Sequence, residues 1–111
     1  LQHMYYFEKT LRVSIAHRLD LSYSSDHEKT HGHTWIIKVY CKENRLDMND
    51  MLFESISIKD TILNKIDNKH LNKVFIFNPT LENVAKWIVT NISGCYKCEI
   101  LENETKITYE D

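Results

Sequence analysis

The stretch His31-Gly32-His33-Thr34-Trp35-Ile36-Ile37-Lys38-Val39 places two histidines and three large apolar residues at alternate positions. Successive side chains of a β-strand point to opposite faces, so these five residues share one face. An earlier stretch alternates in the same way and ends in His17, after apolar residues at positions 11, 13 and 15. The two patterns predict two strands, each with an apolar face that ends in histidine. If the strands pair antiparallel, His17, His31 and His33 come together.

Two interpretations of these histidines are open from spacing. Three neutral imidazole nitrogens suit Zn²⁺ and leave a fourth coordination position open, which is typical of a catalytic zinc. The alternative is that the histidines are packed core residues, because a histidine on an apolar face is commonly just that, and a His-x-His pair alone is a weak signal. The third histidine, at the end of a compatible strand, favours the metal.

Composition places the chain among ordinary globular proteins. It has 111 residues, of which 42% are hydrophobic and 27% charged, and its net charge is −2. This predicts one domain over residues 4–111, with residues 1–3 a cloning remnant, so His3 is left out of the site. Nothing indicates a nucleic-acid or membrane partner, because there is no basic excess and no apolar run of about 18 residues. No secretory signal is recognised, so we expect a cytoplasmic protein.

The three cysteines do not predict a disulfide framework. Their number is odd, and only Cys95 and Cys98 form a Cys-x-x-Cys pair. A zinc ribbon requires a second such pair, and a redox motif requires a following helix, whereas this pair begins a strand-like run. We therefore expect no chemistry from it.

The remaining pattern predicts two helices followed by two strands. Isoleucines at 58, 62 and 66 lie four apart, and residues 81, 84, 85, 88 and 92 form a second helical stripe. Asn78-Pro79-Thr80 resembles a helix start, with Asn78 as the capping residue and proline at the first helical position. Strands are expected at about residues 6–19, 32–42, 96–102 and 106–109, with turns at 42–50 and 103–104. The order ββααββ predicts an α+β fold, in which a four-stranded antiparallel sheet carries two helices on one face.

Several carboxylates are candidates for chemistry near the histidines. Glu102 has the parity of the apolar positions before it, and a ligand with two N–H groups would satisfy a carboxylate there. Glu28 lies three residues before His31 and can act as a general base near a metal-bound hydroxyl. Asp67 and His70 follow the first helix and are candidates for a second acid–base group. The plainer alternatives are that Glu102 ends a hairpin in solvent and that Glu28 belongs to a solvated charged loop.

Taken together, these residues resemble the family of 6-pyruvoyltetrahydropterin and 6-carboxytetrahydropterin synthases. The resemblance covers nearly the whole domain, in order. The matching segments are Ile15-Ala16-His17-Arg18-Leu19, His31-Gly32-His33-Thr34, Ile66-Asp67, Leu71-Asn72, Asn78-Pro79-Thr80-Leu81-Glu82-Asn83, and Glu102 before the last hairpin.

The resemblance implies a tunnelling fold, in which three subunits join sheet edges into a barrel and two trimers stack into a hexamer. It implies Zn²⁺ on His17, His31 and His33, and a pterin substrate, 7,8-dihydroneopterin triphosphate, bound between subunits. Glu102 would hold the pterin ring, with Thr80 and Glu82 among the substrate-binding residues.

Two positions depart from the usual family pattern. The cysteine of Cys-x-x-x-His-Gly-His is His27 here, and the histidine of the usual Asp-His pair is Asn68. The segment from Glu28 to His33 resembles that of a variant subgroup of the family. In that subgroup, a glutamate three residues before His-Gly-His replaces the cysteine, and the product is 6-hydroxymethyl-dihydropterin. Two functions stay open: a zinc-dependent enzyme that uses Glu28, and a pterin- or zinc-binding homologue without activity. Within the enzyme, the sequence does not choose among pyruvoyl, carboxy and hydroxymethyl products.

Overall fold

A computed structural model describes residues 3–22 and 29–111 of the chain. Within these residues, an antiparallel pair of long strands comes first, and three helices and three shorter strands follow. The strands are β1 (Tyr5–His17), β2 (His31–Glu43), β3 (Lys69–His70), β4 (Cys95–Glu102) and β5 (Thr105–Glu110), and the helices are α1 (Ser55–Ile66), α2 (Leu71–Val74) and α3 (Leu81–Asn91).

The sheet has five strands in the order β3-β1-β2-β4-β5. Every neighbouring pair is antiparallel except β3, which pairs parallel with β1 through Lys69 and His70. The four predicted strands are therefore present. The sheet also contains a fifth strand, β3, which was not predicted. A two-residue strand is too short to show alternation, so its sequence carried no signal.

The predicted strand limits need small corrections. β1 ends at His17 and not at Leu19, and β2 begins at His31, one residue earlier than expected. The last hairpin turns at residues 103–104 as expected. Asn103 has a φ of 51°, in the left-handed region that asparagine tolerates better than most residues.

Two of the helices were expected and one was not. α1 buries its three isoleucines at positions 58, 62 and 66, as the spacing of four predicted. The unexpected α2 has four residues, which is too short for a helical period, and it buries Leu71. The N-cap of α3 is Thr80 and not Asn78, because the Thr80 side chain accepts a hydrogen bond from the Asn83 N–H at 3.1 Å.

The core lies between the helices and one face of the sheet. Odd-numbered residues of β1 and β2 contribute to it, including Val13, Trp35 and Ile37, together with Cys98 and Ile100 of β4. Alternation thus put these side chains on one face, as predicted. The helices pack on that face. His17, at the end of β1, contacts the Pro79 carbonyl just before α3.

The opposite face of the sheet carries polar and charged pairs. Lys38 lies 2.9 Å from Glu8, Lys106 lies 3.3 Å from Glu99, and the Tyr40 hydroxyl donates to the Glu99 carboxylate. The hydrogen bonds from Tyr40 and Lys106 hold the pKa of Glu99 below its usual range. Among the described residues, no helix is long and apolar enough to cross a membrane.

Candidate metal centre

The three histidines meet where β1 and β2 pair. His17 is opposite His31 in the antiparallel register, and His33 is opposite Ile15. The imidazole ring centres are 4.5 Å apart for His17 and His31, 5.4 Å for His17 and His33, and 4.9 Å for His31 and His33. One ring nitrogen from each residue lies within 4.8 Å of the others, a separation that suits ligands of one metal ion. The predicted convergence of the three side chains is thus confirmed.

Backbone carbonyls orient two of the imidazoles. His17 Nδ1 lies 2.8 Å from the carbonyl oxygen of Pro79, and His31 Nδ1 lies 2.8 Å from that of Lys29. A ring nitrogen next to a carbonyl oxygen must carry the proton, so the other nitrogen, Nε2, offers a lone pair. Metal-ligating histidines commonly have such a second hydrogen bond, which fixes the tautomer and the ring orientation.

His17 fits a metal ligand better than a packed core residue. It is only 2% exposed, and its Nε2 is buried without a hydrogen-bond partner among the described residues. An unpaired buried nitrogen costs free energy, which a bound ion would offset. Burial also lowers the pKa of His17, despite the opposing hydrogen bond to Pro79, so the imidazole stays neutral at physiological pH. A neutral imidazole is the form that binds a metal.

Glu102 lies beside the triad at the end of β4. Its Oε1 accepts a hydrogen bond from Trp35 Nε1 at 2.9 Å and lies 3.3 Å from His33 Nε2. The register explains this contact, because Glu102 is opposite Trp35 in the β2–β4 pairing. The carboxylate is therefore held within the site and does not project freely into solvent.

A cavity of about 230 Å³ opens next to His17. It is lined by three residues that the family resemblance implies in substrate binding: Thr80 and Glu82 at the start of α3, and Glu102 at the end of β4. Its lining residues are His17, Leu19, Leu21, Thr80, Leu81, Glu82 and Glu102. The cavity is smaller than the roughly 300–1,000 Å³ of typical ligand pockets.

Asp67 and His70 have separate partners. Asp67 Oδ1 accepts the backbone N–H of Ser14 at 2.9 Å, and the next residue, Asn68, donates its N–H to the Ser14 carbonyl at 2.7 Å. His70 Nε2 lies 3.4 Å from Thr30 Oγ1. No hydrogen bond among the described residues joins Asp67 to His70, so their role as an acid–base pair stays a prediction. Glu28 and His27 lie outside the described residues.

The Cys-x-x-Cys pair is part of the core. Cys95 and Cys98 are buried in β4 as free cysteines. In the β2–β4 register, Cys95 is opposite Cys41. Burial raises the pKa of Cys98 to about 12, so its thiol stays protonated at neutral pH.

Two parts of the site were not found from the sequence. Trp35 was predicted as an apolar strand residue, but its indole N–H binds Glu102. The signal available was that a buried tryptophan usually requires a partner for its N–H. The Pro79 carbonyl carries no side-chain signal, so only the folded chain shows its contact with His17.

Comparisons with known proteins agree with this geometry. A sequence model of the family described as 6-pyruvoyl tetrahydropterin synthase matches residues 6–109. The 6-carboxy-5,6,7,8-tetrahydropterin synthase of Bacillus subtilis (strain 168) is 29% identical over 112 aligned positions, which cover 93% of this chain and 75% of that protein.

Solved structures show the same fold. The 6-pyruvoyl tetrahydropterin synthase of Caenorhabditis elegans superposes with a TM-score of 0.70 at 25% identity and covers 99% of this chain and 97% of its own. An uncharacterized protein of Wolinella succinogenes gives 0.68 at 14% identity, covering 98% and 99%, and supports the fold alone. The family match spans both long strands, the histidine triad and Glu102, and on that basis the chain belongs to the 6-pyruvoyl tetrahydropterin synthase family.

Proposed function

We propose that this protein is a zinc-dependent enzyme that acts on 7,8-dihydroneopterin triphosphate. The observation that carries the proposal is that one ring nitrogen from each of His17, His31 and His33 lies within 4.8 Å of the others. The Nε2 of His17 is also buried without a hydrogen-bond partner among the described residues. Three nitrogen ligands and an open side toward a cavity fit a catalytic zinc site. Zinc held there would supply Lewis acidity, which lowers the pKa of a hydroxyl bound to it.

The pterin ring is assigned to the cavity that Glu82 and Glu102 line. A carboxylate accepts two N–H groups of an aminopyrimidinone ring in a bidentate, charge-assisted contact. We assign that contact to Glu102, as the family resemblance implies. Its Oε1 is already held by Trp35, which fixes the direction of the carboxylate before a ligand arrives.

Glu28 is the proposed base. Glutamate carboxyl groups in model peptides titrate near pH 4.3, so a glutamate is a suitable proton acceptor at neutral pH. A carboxylate is a weak base, but a metal-bound hydroxyl or the carbon next to it is more acidic than in free substrate, which offsets that weakness. The cysteines do not fit this role, because all three are buried. Cys41 lies at the far end of β2 from the triad, and Cys95 and Cys98 lie in the first half of β4.

Turnover with product analysis tests the proposal. Purified protein loaded with one equivalent of Zn²⁺ should convert 7,8-dihydroneopterin triphosphate, and mass spectrometry distinguishes pyruvoyl, carboxy and hydroxymethyl products. Glu28→Gln should lower turnover by about 10²–10⁴, the usual contribution of a positioned base, with zinc content unchanged. Glu104→Gln, in the exposed turn of the last hairpin, is a matched control that should leave turnover unchanged.

Three outcomes contradict parts of this proposal. A measured zinc content well below one equivalent per chain contradicts the proposed metal centre. Full turnover in Glu28→Gln places the base elsewhere. Pterin binding without any turnover in the unmodified protein supports the alternative function, a binding homologue that has lost its chemistry.

A further inference from the structure

Two asparagine side chains bind the backbone of the segment that follows His17. Arg18 donates its backbone N–H to Asn72 Oδ1 at 2.7 Å, and its carbonyl accepts from Asn72 Nδ2 at 2.9 Å. Asn78 makes the same pair of hydrogen bonds with Asp20, at 3.0 and 3.1 Å. Two residues of one extended segment are thus each bound twice.

The two amides take the place of a neighbouring strand. A side-chain amide offers one acceptor oxygen and N–H donors, so it can satisfy both the N–H and the carbonyl of one residue. In an extended chain, the backbone N–H and carbonyl groups of alternate residues point to the same side, as in an antiparallel pair of strands. β1 ends at His17, yet Arg18 and Asp20 still have the backbone hydrogen bonds that a strand partner would give.

Asn78 is itself fixed beside the metal centre. Its carbonyl accepts hydrogen bonds from the Thr80 N–H at 2.8 Å and from Asn83 Nδ2 at 2.9 Å. The next residue, Pro79, accepts from His17. One short segment before α3 therefore orients a histidine of the triad and holds the chain three residues after it.

The segment held in this way forms one wall of the cavity. Leu19 lies between the two bound residues and Leu21 follows them, and both line the cavity together with Thr80 and Glu82. We propose that Asn72 and Asn78 are positioning residues that hold this leucine wall in place for ligand binding. The ligand's identity rests on the proposed function, but the positioning does not.

Asparagine-to-aspartate changes test this inference with little change in shape. In Asn72→Asp or Asn78→Asp, an oxygen still accepts the backbone N–H, but the second oxygen faces the backbone carbonyl without a proton to donate. Asn64→Asp, on the exposed surface of α1, is the control for added negative charge. If Asn78→Asp does not fold, as judged by circular dichroism, Asn72→Asp decides the test.

The first measurement needs no ligand. Trypsin cuts after Arg18 only when the residues around the bond open locally, so the cleavage rate reports the population of the open segment. We expect cleavage at Arg18 to be at least about tenfold faster in either variant, since each loses a hydrogen bond and gains a repulsive contact. Cleavage at Lys97, within β4, reports unfolding of the sheet and should stay much slower than cleavage at Arg18 in every variant.

The second measurement concerns the site. With Zn²⁺ bound, the dissociation constant for 7,8-dihydroneopterin should rise about fivefold or more in each variant, and KM should rise more than kcat falls. The new carboxylate alone would strengthen zinc binding, because opposite charges attract. A lower affinity for the pterin at full zinc content therefore distinguishes a displaced wall from an effect of charge.

The possible outcomes separate the inference from the proposed function. Unchanged cleavage at Arg18 overturns the inference, as does cleavage at Arg18 that is no faster than cleavage at Lys97, which would indicate that the segment opens only when the whole protein unfolds. Faster cleavage at Arg18 with unchanged pterin affinity overturns the role of the wall in binding. Faster cleavage in the variants, together with no pterin binding by the unmodified protein, supports the positioning and contradicts the proposed function.

Discussion

At the scale of single residues, the candidate metal centre is defined by one ring nitrogen from each of His17, His31 and His33, which lie within 4.8 Å of one another. His17 is buried and its pKa is lowered, so the folded chain keeps a neutral imidazole where an ion can use it. Glu102 places a carboxylate against His33 and Trp35. The site thus combines three histidine side chains with one carboxylate whose direction is set by Trp35.

Glu102→Gln should weaken pterin binding by about tenfold and leave zinc bound. The amide still offers an oxygen to the Trp35 N–H, but it loses the charge that makes the contact with two ligand N–H groups strong. Fluorescence titration with a dihydropterin, alongside metal analysis, measures both properties. Glu104→Gln is the control for a lost charge, and an affinity equal to that of the unmodified protein would contradict the role of Glu102.

At the scale of elements, the residues that begin α3 both stabilise this helix and line the cavity beside His17. Thr80 caps the helix, and the preceding Pro79 carbonyl orients His17. Glu82, in the same turn, adds a negative charge near the helix N-terminus, where it interacts favourably with the helix dipole. The residues that start this helix are therefore also residues of the cavity.

Thr80→Ala should lower the free energy of unfolding by about 1 kcal/mol, the usual cost of losing an N-cap side chain. The reason is that the Asn83 N–H loses its acceptor, Thr80 Oγ1. Urea denaturation of the zinc-free protein measures the change. Thr80→Ser keeps the hydroxyl and should lose much less, so equal losses in the two variants would show that the cap is not the cause.

At the scale of the whole molecule, the sheet ends in edges that the described residues leave open. β5 pairs only with β4, and β3 covers only Ile15 and Ala16 of the outer edge of β1. Open edges favour pairing with another chain. The cavity beside His17 is also small for a pterin site, which is consistent with the proposal that a neighbouring subunit completes it.

We predict that the edges of β1 and β5 join copies of this chain into trimers, and that two trimers form a hexamer. Light scattering should give three or six subunits at micromolar concentration. Amide hydrogen exchange should show slow exchange for alternate N–H groups of β5 that point away from β4, and faster exchange on dilution. A stable monomer, or fast exchange of those amides at every concentration, would contradict the assembly.

The sequence alone determined the sheet face, the long helices and the convergence of the triad. Period-two alternation over His31–Val39 and up to His17 fixes which side chains share a face, and an antiparallel pair of such strands must bring their ends together. The spacing of isoleucines in α1 similarly fixed a buried stripe. These features are local, so the chain carries them as patterns.

Only the tertiary structure decided the contacts between distant backbone groups and side chains. Pro79 lies 62 residues from His17, and Asn72 lies 54 residues from Arg18, and no periodic pattern relates residues so far apart. Short elements such as β3 and α2 also exist only because neighbouring strands and the core hold them, since two or four residues do not fix their own conformation. The fold therefore supplies the hydrogen bond of His17 to Pro79, the partner of Glu102 and the wall of the cavity, while the sequence supplies the candidate metal ligands.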